Sequence, residues 1–132
     1  MNPTPGPGWV LDASALLALL QNERGGAVVE PLLDQAAISS VNWSEVLQKS
    51  LSRGIVVDQL GDELGALGLL VVPFNSEDAV RAAHLWDTTR HLGLSLADRA
   101  CLALGLRFQA PVLTADRSWT MLALGVEIQS IR

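Results

Sequence analysis

Short, wholly apolar segments alternate with longer helical ones along this chain, and that alternation most constrains its fold. Trp9-Val10-Leu11, Ala37-Ile38-Ser39, Leu69 to Val72, Pro111-Val112-Leu113 and Val126-Glu127-Ile128 read as strands. Between them lie apolar stripes at helical spacing, such as Trp43, Val46, Leu47 and Leu51, or Ala97, Cys101 and Leu104. Strands without polar alternation are buried on both faces, which implies parallel pairing with helices on either side. The expected fold is a single three-layer α/β/α domain around a short central parallel sheet of about five strands. Residues 1–8, rich in Pro and Gly, are expected to form a flexible tail, leaving residues 9–132 as the domain. Leu69 to Val72, bounded by Gly68 and Pro73, is expected to be a fully buried strand.

Four acids sit where an apolar stretch gives way to a helix: Asp12, Glu45, Asp98 and Asp116. Each has a local explanation. Asp12 can cap the helix opened by Ser14. Asn42 to Glu45 and Ser95 to Asp98 both have capping-box spacing. Thr114 can cap a helix whose dipole favours Asp116. Local roles do not account for the joint arrangement. In a parallel α/β sheet, helices that follow strands start at the strands' carboxyl edge, where ligands bind. The helix from Ser95 must end at the opposite edge to feed the strand at Pro111, so Asp98 starts at the same edge. Like charges gathered there favour a cation. A cluster of carboxylates suits hard divalent ions, whose chemistry is mostly phosphoryl transfer. The expectation is a metal-dependent nuclease.

The remaining composition narrows the alternatives. One cysteine excludes an intramolecular disulfide, and Cys101 lies on an apolar stripe that predicts core packing. With two histidines on separate segments, zinc is not expected. The net charge of −5 argues against broad electrostatic binding of nucleic acid, but four of those charges are the acids above, which cations would offset. No apolar run is long enough to span a bilayer and no leader pattern is present, so a cytoplasmic protein is expected. Asp58, Asp62 and Glu63 read as a solvated helix face, and Glu77 and Asp78 as first-turn acids. Trp43 and Trp86 match apolar stripes and are expected in the core. Trp119, soon after Asp116, is the one tryptophan to test for substrate contact.

Other classes fail on particular residues. A haloacid-dehalogenase-like phosphatase wants an acid where Ser14 stands. No glycine fingerprint of a P-loop or dinucleotide fold follows a strand. A phospho-receiver domain wants a lysine after the late strand, and the only lysine is Lys49.

The four acidic neighbourhoods, Val10-Leu11-Asp12-Ala13-Ser14-Ala15, Ser40-Val41-Asn42-Trp43-Ser44-Glu45-Val46, Leu94-Ser95-Leu96-Ala97-Asp98-Arg99-Ala100 and Val112-Leu113-Thr114-Ala115-Asp116-Arg117, occur in the order seen in a known family. From Trp9 to Arg132 the chain resembles the PIN-domain ribonucleases, and among them the VapC-type toxins of toxin–antitoxin pairs. The resemblance implies an endoribonuclease dependent on Mg2+ or Mn2+. It places metal ligands at Asp12, Glu45, Asp98 and Asp116, of which Asp116 is the most variable in the family. It places supporting polar groups at Ser14 and Thr114. It also implies a homodimer and a cognate antitoxin. Arg99 and Arg117, one residue beyond two of the acids, are candidate contacts for RNA or antitoxin. Two alternatives share the fold: a PIN nuclease of RNA processing, and a non-catalytic scaffold that binds RNA or protein.

Overall fold

In the computed structural model, which describes residues 6–132, the apolar runs become five short strands: β1 (Trp9–Leu11), β2 (Ala36–Ser39), β3 (Leu70–Val72), β4 (Val112–Thr114) and β5 (Ile128–Ser130). They form one sheet in the order β3-β2-β1-β4-β5, and every pairing is parallel. The helices are α1 (Ala13–Leu20), α2 (Gly26–Val29), α3 (Ser40–Ser52), α4 (Leu60–Ala66), α5 (Ser76–His84), α6 (Trp86–Thr89) and α7 (Leu96–Phe108). Three short 3-10 segments cover Glu30–Gln35, Arg90–Leu92 and Arg117–Met121.

Because side chains alternate along a strand, neighbouring residues face opposite layers. Leu11, Ile38 and Leu113 pack with Leu16, Val29 and Val46 on one face. Val10, Ala37 and Val112 pack with Cys101, Leu102 and Leu104 on the other. The three-layer α/β/α arrangement around a parallel sheet is therefore the one expected. Gly105 lets α7 approach closely, since a Cβ there would lie 2.6 Å from Val112 Cγ2. Gly68, at φ +104°, ends the turn after α4, and its missing Cβ leaves room for Asp34.

Several local expectations are corrected. β3 is an edge strand, with Leu70 and Val71 exposed, because among the described residues it pairs with β2 alone. The last strand lies two residues later than expected, at Ile128–Ser130. α5 is capped by Asn75, one residue before the Ser76 that the sequence suggests as its cap. Trp86 is half exposed, with the Arg90 guanidinium over its ring, whereas Trp119 is buried among the residues around α7 and is closed to substrate. Trp43 is partly buried against the core. Of the expected tail, residues 1–5 lie outside the described residues, and Gly8 donates a backbone hydrogen bond to Gln35.

Asp78 is more than a first-turn acid. Its side chain is buried, closes the capping box with Asn75, and receives Arg81 at 3.3 Å and Arg107 of α7 at 3.2 Å. It thereby ties α5 to α7. Asp78→Ala is expected to lower the unfolding free energy by about 2 kcal/mol, below the usual cost of breaking a buried pair because both arginines reach solvent. A urea melt checks this, and an unchanged midpoint would show that the tie is dispensable.

Candidate active site

The strand order reverses direction at β1. From there the chain adds β2 and β3 on one side and β4 and β5 on the other, so the crevice of this sheet opens at the carboxyl ends of β1 and β4. Asp12 directly follows β1, and its backbone N–H donates to the Leu113 carbonyl in β4. Its side chain caps α1 through the Ala15 N–H at 2.8 Å. Capping is thus real here, and it is only part of what the residue does.

The Asp12 carboxylate is buried, and both of its oxygens accept hydrogen bonds. The Ser14 hydroxyl donates to Oδ1 at 2.7 Å, and the Thr114 hydroxyl donates to Oδ2 at 2.6 Å. Ser14 Oγ in turn accepts the Ala115 N–H, and Thr114 Oγ1 accepts the Asp116 N–H. Each hydroxyl donates towards Asp12, because an ionised carboxylate can only accept. Burial pushes the Asp12 carboxyl up to about 6, against the opposing pull of the Thr114, Ser14 and Ala15 donors and with a further push from the nearby Asp98 charge.

The other acids are arranged differently. Asp98 sits in the first turn of α7, in the capping box expected from the sequence. It accepts the Ser95 N–H at 2.9 Å, while Ser95 Oγ accepts the Asp98 N–H. Glu45 is not part of a cap. Ser39 caps α3 through the Val41 N–H, which moves Glu45 into the second turn and Asn42 into the helix body. Asn42 Nδ2 reaches Glu45 Oε1 at 3.4 Å and the Ala97 carbonyl at 2.9 Å, so it bridges the two acidic helix starts. Asp116 is exposed and folds onto the Ser118 N–H and hydroxyl, capping the 3-10 segment itself, in place of the Thr114 cap expected.

Asn42 ties the Glu45 and Asp98 segments together, and the Asp98 charge acts on Asp12. Burial first, and then these three charges, push the Cys101 thiol well above its ordinary value. Cys101 is fully buried, as its stripe predicts. Among the described residues, however, no three carboxylate, imidazole or thiol groups converge tightly enough to enclose an ion in this conformation. The reason is local: Asp98, Glu45 and Asp116 each lean on donors of their own segment. The arginines are also engaged. Arg99 Nη1 donates to the Ala82 carbonyl, and Arg117 Nε donates to the Arg132 carbonyl.

Asn42 is the site residue that sequence reasoning missed, having read it as a cap. The available signal was its place on a buried stripe with Val46 and Ser50, at spacings of one helical turn.

The fold and site together make a small parallel α/β domain with a buried, hydroxyl-clamped aspartate at its switch point. The PIN-domain family model matches residues 9–123, and the chain belongs to that family, whose members are nucleases. No curated protein matches closely enough to count as a relative. Among solved structures, the chain is similar to one in a toxin–antitoxin complex from Klebsiella pneumoniae, with 18% identity, TM-score 0.71, and coverage of 93% of this chain and 97% of that one. It is also similar to one in DNA-bound VapBC from Salmonella typhimurium, with 15% identity, TM-score 0.71, and coverage of 96% and 99%. A third similarity is to VapBC2 from Rickettsia felis bound to a promoter DNA fragment, with 17% identity, TM-score 0.66, and coverage of 92% and 97%. These likenesses establish the shared fold.

The residues present suit the divalent cation that the family implies. The donors at this edge are all oxygen, which matches Mg2+ or Mn2+ and not a softer ion. Asp12 carries a destabilised negative charge that a cation would relieve. Asn42 Oδ1 is a buried acceptor with no donor among the described residues.

Proposed function

We propose that this chain is a divalent-cation-dependent endoribonuclease that acts in the cytoplasm as the toxin of a toxin–antitoxin pair. The observation that carries the nuclease reading is Asp12, clamped by Ser14 and Thr114 at the carboxyl ends of β1 and β4, with Asp98 close enough to raise its pKa. Membership of a nuclease family supports it. Similarity to chains in toxin–antitoxin complexes supports a cognate antitoxin as partner. Exposed Leu51 in the last turn of α3 and exposed Ile55 and Val56 in the stretch between α3 and α4 offer apolar surface for an antitoxin or a second copy of the chain. Among the described residues no helix is long and apolar enough to cross a membrane.

In this reading Asp12 and Asp98 hold the principal cation, with Glu45 and Asp116 as further or water-mediated ligands. When bound, Mg2+ or Mn2+ supplies a Lewis acid that acidifies water and offsets phosphoryl charge. The chain's own part is placement. Ser14, Ala15 and Thr114 fix the plane of the Asp12 carboxylate and leave acceptor capacity on Oδ2. The Ser95 cap holds the first turn of α7 and with it Asp98. Arg99 and Arg117, now lying on backbone carbonyls, would have to exchange those bonds to meet RNA phosphates or the antitoxin.

The test is cleavage of structured RNAs by the purified chain with Mg2+ or Mn2+, with EDTA, and by Asp98→Asn. Cleavage is expected with the cations alone. The variant is expected to lose at least about a hundredfold, given the several kcal/mol that a bound metal contributes to such reactions. Cleavage that survives EDTA or the substitution would sink this reading.

A further inference from the structure

Asn42 is 1% exposed, inside α3, on the stripe that packs into the protein with Val46 and Ser50. Its amide nitrogen spans two elements 55 residues apart, donating to the Ala97 carbonyl in α7 and to Glu45 Oε1. Ala97 is the residue before Asp98, so one side chain touches both acidic segments. The orientation of the amide follows from chemistry: the Ala97 carbonyl can only accept, so the nitrogen must face it. Asn42 Oδ1 then lies buried with no donor among the described residues.

An unmet buried acceptor is rare and calls for a reason. Stability does not supply one. The Ala97 carbonyl lies within α7, where the helical ladder already gives it the N–H four residues on. A leucine has nearly the shape of asparagine, would leave no acceptor unmet, and would suit an apolar stripe. What leucine lacks is the bond between the acids.

We propose that Asn42 is a positioning residue: its carboxamide sets the spacing between Glu45 and the first turn of α7 that carries Asp98, and so tunes the affinity of this edge for a divalent cation. The proposal rests on the cation-dependent reading above. Groups that orient ligands from behind commonly change metal affinity by about 10–100-fold when replaced.

The experiment is calorimetric titration of Mn2+ into the full chain, alongside Asn42→Leu and Asn42→Ala, with urea melts of each protein in EDTA. Asn42→Leu is expected to unfold at the same or a higher urea concentration than the parent, yet to bind Mn2+ about 10–100-fold more weakly. Asn42→Ala is expected to show the same weakening with some loss of stability from the vacated volume. If the parent binds Mn2+ and Asn42→Leu binds within about threefold of it, the positioning role is overturned while the cation site stands. A weakening that only tracks lost stability in both variants would also overturn it. If the parent itself does not bind Mn2+, the cation reading of the site falls and takes this role with it.

Discussion

Asp12→Asn is expected to abolish RNA cleavage and, in EDTA at pH 7, to make the protein more stable. The two effects share one cause. Burial has raised the Asp12 carboxyl from 3.8 to about 6, so holding it ionised at neutral pH opposes folding. Two pKa units correspond to roughly 3 kcal/mol. Asparagine carries no charge, and its oxygen can still take the Ala15 N–H and one hydroxyl, although its NH2 must replace an acceptor that Ser14 or Thr114 now uses. The net gain is therefore expected to be smaller, about 1–2 kcal/mol. Cleavage should fall by at least about a hundredfold, since a ligand of the proposed cation has lost its charge. Paired urea melts and RNA assays check both arms. A variant that is less stable than the parent in EDTA would show that the Asp12 charge is well accommodated, contrary to the strain argued here.

The pH dependence of stability should carry the same signature. Asp12 holds its proton more tightly in the folded chain than in the unfolded one. Between about 3.8 and about 6 the folded state therefore binds more protons, and stability falls as pH rises. Below that window the cost is absent; above it the whole of roughly 3 kcal/mol applies. Other carboxylates titrate nearby, so the useful quantity is the difference between parent and Asp12→Asn in EDTA. That difference should grow from pH 4 to pH 7 in favour of the variant. Adding Mn2+ at pH 7 should stabilise the parent, because a ligand bound only by the folded state adds stability by mass action, and should do little for the variant. A difference curve that is flat across the window would contradict a raised Asp12 pKa.

Much of the fold was legible because it depends on local pattern. The apolar runs at Trp9-Val10-Leu11 and Val112-Leu113 are too short and too uniform for anything but buried parallel strands, and they are found there. The Ser95 to Asp98 box was readable for the same reason, since a cap involves residues three apart. The other box was not. Asn42 and Glu45 have the same spacing, but Ser39 stands three residues earlier and takes the cap, because β2 ends there. Trp119 and Trp86 exchanged their expected places because each lies in a short segment whose burial is set by what packs on it, not by its own periodicity. Leu69 to Val72 read as a fully buried strand; the strand order, which leaves β3 at the sheet edge among the described residues, exposes Leu70 and Val71.

The sequence by itself indicated that the sheet is parallel, and it led to the expectation that Asp12, Glu45, Asp98 and Asp116 gather at one edge of it. Those conclusions need only chain direction and the order of elements, both of which are local. The tertiary structure decided the rest: the strand order that puts β1 beside β4, the Ser14 and Thr114 hydroxyls that converge on Asp12, and the burial that strains its charge. It also decided that Asn42 reaches α7 and that Asp78 joins α5 to it. Each of these depends on residues far apart in the chain meeting in space, and the distance between such residues is set by packing, which no short stretch of sequence encodes.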